Sequence, residues 1–389
     1  MDCTKNLKVI ENAKVVLERG IIWDGVIVAE NGRIVTFGKR GEVEIPIGAV
    51  HIDAKGAYVG PGLVDIHVHG GGGYNFATDL PDAAKHFLRH GETSMLASTS
   101  QTGTFTRDEL VEIITDMRRK LPLAPNVKGI YMEGPYFNGN YGANSHLNVW
   151  MDKAVVPEDY IPLVDAGGTD VKAWMVAPER PDLLPFMKYA RKVNPEVRFS
   201  FGHSEAAPWE IRRLGKYSPT IQTHSMNATG KRFGKGGIRP FGPDEYAFVE
   251  PDVYCEMISD SQGIHVNSEL QQMLLHTKGI KRVILITDST NYNFPVPEKY
   301  AHVTDLNFDP RGGIAGSKLT LDMACRNVMT HTNCGIAEAF IMASSNPARA
   351  IGMDDEIGSI EIGKRCDLIF VDDMFTVKEV MLNGELLKF

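Results

Sequence analysis

From about residue 59 to 352 the chain repeats one rhythm, a short apolar run followed by a helical pattern, and few folds accommodate it. The strand-like runs are Leu63 to His69, Ser94 to Ser98, Val127 to Met132, Val171 to Val176, Val197 to Phe201, Thr220 to Thr223, Val253 to Ile258 and Val283 to Thr287. Helical signals stand between several of them. Thr106-Arg107-Asp108-Glu109 is a capping box, and Leu110, Ile113, Ile114 and Met117 follow at the spacing of one helix face. Strands with crossover helices, repeated eight times in about 290 residues, predict an α/β chain closed into a TIM-like (β/α)8 barrel.

The two ends of the chain read differently. Gly25 to Ala29, Asn31-Gly32 and Arg33 to Phe37 form a strand–turn–strand pattern, and Asn-Gly is the strongest short hairpin signal. The pattern returns at Asp367 to Val371 and at Val377 to Leu382 with Asn383-Gly384. Neither end is long enough to bury a core by itself. The expectation is one small β-sandwich domain assembled from residues 1–58 and 353–389, flanking a barrel at 59–352.

Charge narrows the choice of partner. The net charge of −8 argues against nucleic acid or an anionic membrane, both of which need a basic field. Five cysteines, scattered and without a C-x-x-C pair, suggest neither a disulfide framework nor a cysteine zinc site. With charges early in the N-terminal segment and no long apolar stretch, the expected location is the cytoplasm.

In such a barrel the chemistry sits where the strands end, and these ends are polar. The first runs into His67-Val68-His69, the third into Glu133, the fifth into His203, the sixth into His224 and the eighth into Asp288. Residues two apart on a strand project to the same side, so His67 and His69 form a chelating pair. A lone histidine is more often a satisfied half-buried residue. Convergence from five strand ends instead points to a divalent metal, which acidifies water from a pKa of 15.7 to about 7. This suits hydrolysis of an amide, with Asp288 moving the proton to the leaving nitrogen. The donors accept zinc, iron, manganese or cobalt, as one ion or two.

Pro61-Gly62-Leu63-Val64-Asp65-Ile66-His67-Val68-His69-Gly70 resembles the first-strand motif of the amidohydrolase superfamily. Within it, Glu133-Gly134-Pro135-Tyr136, Gly202-His203-Ser204, Thr223 to Ala228, Thr287-Asp288-Ser289 and Ala315-Gly316-Ser317 resemble the N-acetylglucosamine-6-phosphate deacetylases. The resemblance spans nearly the whole chain. It implies that Glu133, His203 and His224 hold the principal metal, that His67 and His69 hold a second, and that Asp288 is the catalytic acid/base. It places Asn227, Ala228 and His265, with Ala143, Asn144, Ala315 and Gly316, on the sugar side.

For the phosphate, the segment from Thr229 to Pro243 supplies Lys231, Arg232, Lys235 and Arg239 without an acidic residue. Arg239 best matches the family's phosphate arginine, which reaches the neighbouring site, so a homodimer is implied. Three stretches depart from the pattern: a longer loop from Gly230 to Gly237, the insertion around Asp260-Ser261-Gln262-Gly263, and Asn144, near which His146 is a displaced substitute. The expected substrate is an amino-sugar phosphate. Alternatives are the galactosamine epimer or another N-acyl hexosamine and, in a different class, a sugar-phosphate sensor or scaffold.

Overall fold

The computed structural model describes residues 6–99, 102–143, 147–151, 153–232 and 236–389. Its centre is a parallel sheet of eight strands: β1 (Leu63–Val68), β2 (Glu92–Ser98), β3 (Val127–Met132), β4 (Val171–Val176), β5 (Arg198–Phe201), β6 (Ile221–Gln222), β7 (Tyr254–Ile258) and β8 (Val283–Ile286). Each pairs with the next in chain order. Closure between β8 and β1 runs through side chains and strand ends. Asp65 Oδ2 accepts from the Thr287 hydroxyl at 2.6 Å, Asp288 N donates to His67 O at 3.0 Å, and His69 N donates to Ser289 O at 2.9 Å.

Alternation along β2 shows why the strands are apolar on both sides. Met95 and Ala97 join a cluster with Phe76, Phe87, Leu110, Ile114 and Met117 of the surrounding helices, whereas Leu96 joins another with Tyr131, Met175 and Phe201. The predicted capping box forms. Thr106 N donates to Glu109 Oε2 at 2.7 Å, and the helix Arg107–Lys120 buries Leu110, Ile114 and Met117.

Chain ends meet in a second, mixed sheet. Its N-terminal strands are Leu7–Leu17, Gly20–Glu30, Arg33–Lys39, Val50–Asp53 and Tyr58–Pro61, and its C-terminal strands are Leu368–Val371, Val377–Leu382 and Glu385–Leu386. Tyr58–Pro61 is the joint: parallel to Leu7–Leu17, antiparallel to Leu368–Val371, and followed directly by β1. The sheet branches at Leu7–Leu17, which also pairs with Val50–Asp53, and it covers a core of Ile10, Val15, Ile27, Val59, Leu368, Phe370 and Met381. Both Asn-Gly turns form with left-handed backbone, φ being 52° and 78° at Asn31-Gly32 and 52° and 77° at Asn383-Gly384. Among the described residues no helix is long and apolar enough to cross a membrane.

Candidate metal centre

The polar strand ends converge at one mouth of the barrel. His203, His224 and Asp288 each lie two residues beyond the end of a strand in a left-handed conformation, with φ of 43°, 27° and 46°. Non-glycine residues enter that region at a cost, and neighbouring contacts hold them there. Asp288 is clasped on both sides. Its N–H donates to His67 O, its carbonyl accepts from Ser317 N at 2.8 Å, and Gly316 packs so closely that a Cβ would lie 2.5 Å from Asp288 O.

Four imidazoles surround one carboxylate. Glu133 Oε1 lies 2.9 Å from His203 Nε2, 3.2 Å from His224 Nε2 and 3.4 Å from His67 Nε2, while Oε2 lies 3.3 Å from His69 Nε2. The far nitrogens of three of them are occupied. His67 Nδ1 meets Glu256 Oε2 at 3.1 Å, His203 Nδ1 meets Tyr141 O at 2.9 Å, and His224 Nδ1 meets Asn227 O at 3.0 Å. Each of those acceptors calls for a proton on Nδ1, which leaves the Nε2 lone pair facing inward. Yet His67 and His69 bring Nε2 atoms within 3.2 Å of each other, and His203 and His224 within 3.1 Å. Lone pairs that close are reconciled by a cation. Two ligand groups result, His67 with His69 and Glu133, and Glu133 with His203 and His224, so the donor set fits one divalent ion or two sharing Glu133.

Electrostatics agree. Burial acts to lower the His69 pKa, but hydrogen bonds with Asp288 and Glu133 outweigh it and bring the imidazole to about 9. Burial acts to raise Glu133 and Asp288, yet the surrounding histidines hold Glu133 well below the usual carboxylate range and Asp288 below it as well. The pocket therefore favours positive charge at its centre, and an ion that takes this place displaces protons.

A cavity opens above the cluster. Its lining includes the charged groups His69, Glu133, His203, His224 and Asp288, and with them Ala143, Asn227, Ala228, His265, Ala315 and Gly316. His67 lies fully buried behind them. Asn144 and His146 fall outside the described residues, as does Lys235. Arg239 is exposed and does not line the cavity. Lys231 and Arg232 are committed elsewhere: Lys231 Nζ pairs with Glu245 at 2.6 Å, and Arg232 pairs with Glu205 at 3.0 Å and Glu210 at 3.1 Å. The basic run is thus only partly an anion trap, because nearby glutamates outside the run neutralise two of its cations.

Residues 58–387 match the Amidohydrolase family. The chain belongs to that family. It is 28% identical over 358 residues to an N-acetylgalactosamine-6-phosphate deacetylase of Escherichia coli O157:H7, covering 89% of this chain and 91% of the relative. It is 26% identical over 382 residues to an N-acetylglucosamine-6-phosphate deacetylase of Vibrio furnissii, covering 93% and 90%. The crystal structure of N-acetylglucosamine-6-phosphate deacetylase from Pasteurella multocida superposes with a TM-score of 0.84 at 22% identity, covering 98% of this chain and 99% of that one.

Several residues of this amidohydrolase site escape the sequence reading. Asp65 Oδ1 accepts from His67 N at 3.0 Å and Oδ2 from Thr287, and burial pushes its carboxyl up to about 7. Its signal is parity, because Asp65, His67 and His69 share one side of β1. Glu256 is a charge inside the apolar run Tyr254-Cys255-Glu256-Met257-Ile258. Asp260 accepts from His265 N at 2.8 Å and from His265 Nδ1 at 3.1 Å, and leaves His265 Nε2 buried without a partner. Tyr131 wedges its ring 4.7 Å from that of His67. Thr102, Phe137, Met175 and Tyr292, which also line the cavity, carry no sequence signal, since loop conformation and barrel packing bring them there.

Proposed function

We propose that this metal-dependent amidohydrolase removes the acetyl group of N-acetyl-D-glucosamine 6-phosphate, releasing glucosamine 6-phosphate and acetate. One observation carries the reading: a carboxylate ringed by four inward-facing imidazoles opens into a cavity that Asn227, Ala228, His265, Ala315 and Gly316 also line. Relatives aligned over about nine-tenths of this chain or more bear the name of N-acetylhexosamine 6-phosphate deacetylases.

Glu133, His203 and His224 hold the principal ion and His67 with His69 a second, zinc being the first candidate. A divalent ion bound there supplies an acidified water and a polarised acetamido carbonyl. Asp288, kept anionic by His69 and His67, takes the water's proton and delivers it to the departing nitrogen. Asn227, the backbone at Ala228 and His265 fix the sugar, with Ala143 beside them. Ala315 and Gly316 let the main chain approach it closely. Arg239 binds the phosphate in the site of the neighbouring subunit of a homodimer, a role its exposed position leaves open. The enzyme works in the cytoplasm.

A second reading, the galactosamine epimer, is favoured by the 28% identity to the Escherichia coli relative. Acetate release from the two phosphorylated epimers by zinc-replete protein decides between them. The glucosamine epimer is expected to be hydrolysed with the higher kcat/KM. A reversed preference selects the second reading, and inactivity toward both removes the two together.

A further inference from the structure

Beneath the metal ligands lies a carboxylate that no step above uses. Glu256 is in the middle of β7 and 1% exposed. A single oxygen of it, Oε2, meets two donors from different halves of the cluster: His67 Nδ1 at 3.1 Å and the backbone N–H of His224 at 3.1 Å. His67 belongs to the group with His69 and Glu133, whereas His224 belongs to the group with Glu133 and His203. Glu133 is the link between the groups at the cavity, and Glu256 is a second link behind them.

We propose that Glu256 is the positioning residue of this centre, fixing the tautomer of His67 and the backbone at His224 so that both imidazoles present Nε2 to the ion. The inference rests on the metal reading above. An ionised carboxylate only accepts hydrogen bonds, so a partner at His67 Nδ1 obliges the proton to sit on Nδ1 and the lone pair on Nε2. Such a bond is charge-assisted and about twice as strong as a neutral one. The neighbouring ligand cannot share the task, because His69 Nδ1 is buried with no partner.

Glu256→Gln preserves shape but removes the charged acceptor: an amide oxygen in the place of Oε2 accepts more weakly from both donors, whereas the amide nitrogen there donates to His67 Nδ1, releases the tautomer and loses the His224 N–H. Zinc affinity of the full chain, measured by competition with a chromophoric chelator, is expected to fall about 10–100-fold. The melting midpoint of chelator-treated protein is expected to stay unchanged, whereas a purely structural role would lower it. In a His67→Asn background the same substitution is expected to cost less, because the ring it orients is gone. Failure of the parent to take up zinc removes the metal reading and this inference with it. Zinc held as tightly by the variant as by a zinc-binding parent overturns the inference alone. Should the variant not fold, nitrogen NMR of the zinc-loaded parent gives the answer independently: a His67 proton on Nδ1 supports the role, and a proton on Nε2 overturns it.

Discussion

At the scale of single residues, Asp288 and the metal ligands divide the work. Asp288 Oδ1 lies 3.2 Å from His69 Nε2, close to the cluster, yet Asp288 is not a member of either ligand group. Asp288→Asn is therefore expected to retain its ions by elemental analysis while kcat falls about 10²–10⁴-fold, the range of a lost general acid/base. Equal turnover would remove its proton-transfer role.

Asp260 makes a different kind of prediction. Burial acts to raise its pKa, but the hydrogen bond and charge of His265 and the N–H groups of Ile264 and His265 prevail and hold it at about 2. The usual carboxylate value is about 4. A depressed folded-state pKa stabilises the protein above the unfolded value, and the contribution is lost as pH falls from about 4 towards 2. Asp260→Asn is expected to lower urea stability at neutral pH and to raise KM by loosening His265. The stability gap to the parent should close across that acid window, and a gap independent of pH would contradict the assignment. These residues also show what a sequence can reveal. His67, His69 and Glu133 are legible because strand parity and strand ends are local. The link from Asp260 to His265 is hidden because it depends on how the inserted loop folds back.

At the scale of elements, the eight barrel strands can be read within a residue or two of their observed limits, since apolar runs bounded by turns need no tertiary information. Less legible are the short segments that pin the strand ends. Gly142 is one. Its φ of 91° suits glycine, and a Cβ there would stand 2.2 Å from His203 Nδ1, beside the Tyr141 carbonyl that orients the ring. Gly142→Ala is expected to displace His203 and weaken zinc binding about tenfold or more, as disturbed ligand orientation does, with helix content by circular dichroism unchanged. Parent-like affinity would show that this loop does not set the ligand. The basic run is the converse case. Four cations in sequence suggest one phosphate site, but the fold spends Lys231 and Arg232 on glutamates that no local pattern connects to them.

At the scale of the whole molecule, the terminal sheet ties both ends of the chain to the start of β1, the strand that carries His67, with His69 just beyond it. The proposed homodimer gives a test that uses two damaged proteins. Arg239→Ala and Asp288→Asn are each expected to be nearly inactive. If Arg239 serves the neighbouring site, subunit exchange forms heterodimers with one intact site in two, recovering about a quarter of parental activity in a statistical mixture. No recovery after verified exchange would place Arg239 in its own subunit or outside catalysis.

All of this turns on a cation among Glu133, His203 and His224. An anomalous difference map of zinc-grown crystals at the zinc edge tests it most directly. A peak is expected within about 2.0–2.2 Å of a Glu133 oxygen and of Nε2 in both histidines. A map without a peak there, and with the three side chains turned apart, would contradict the account.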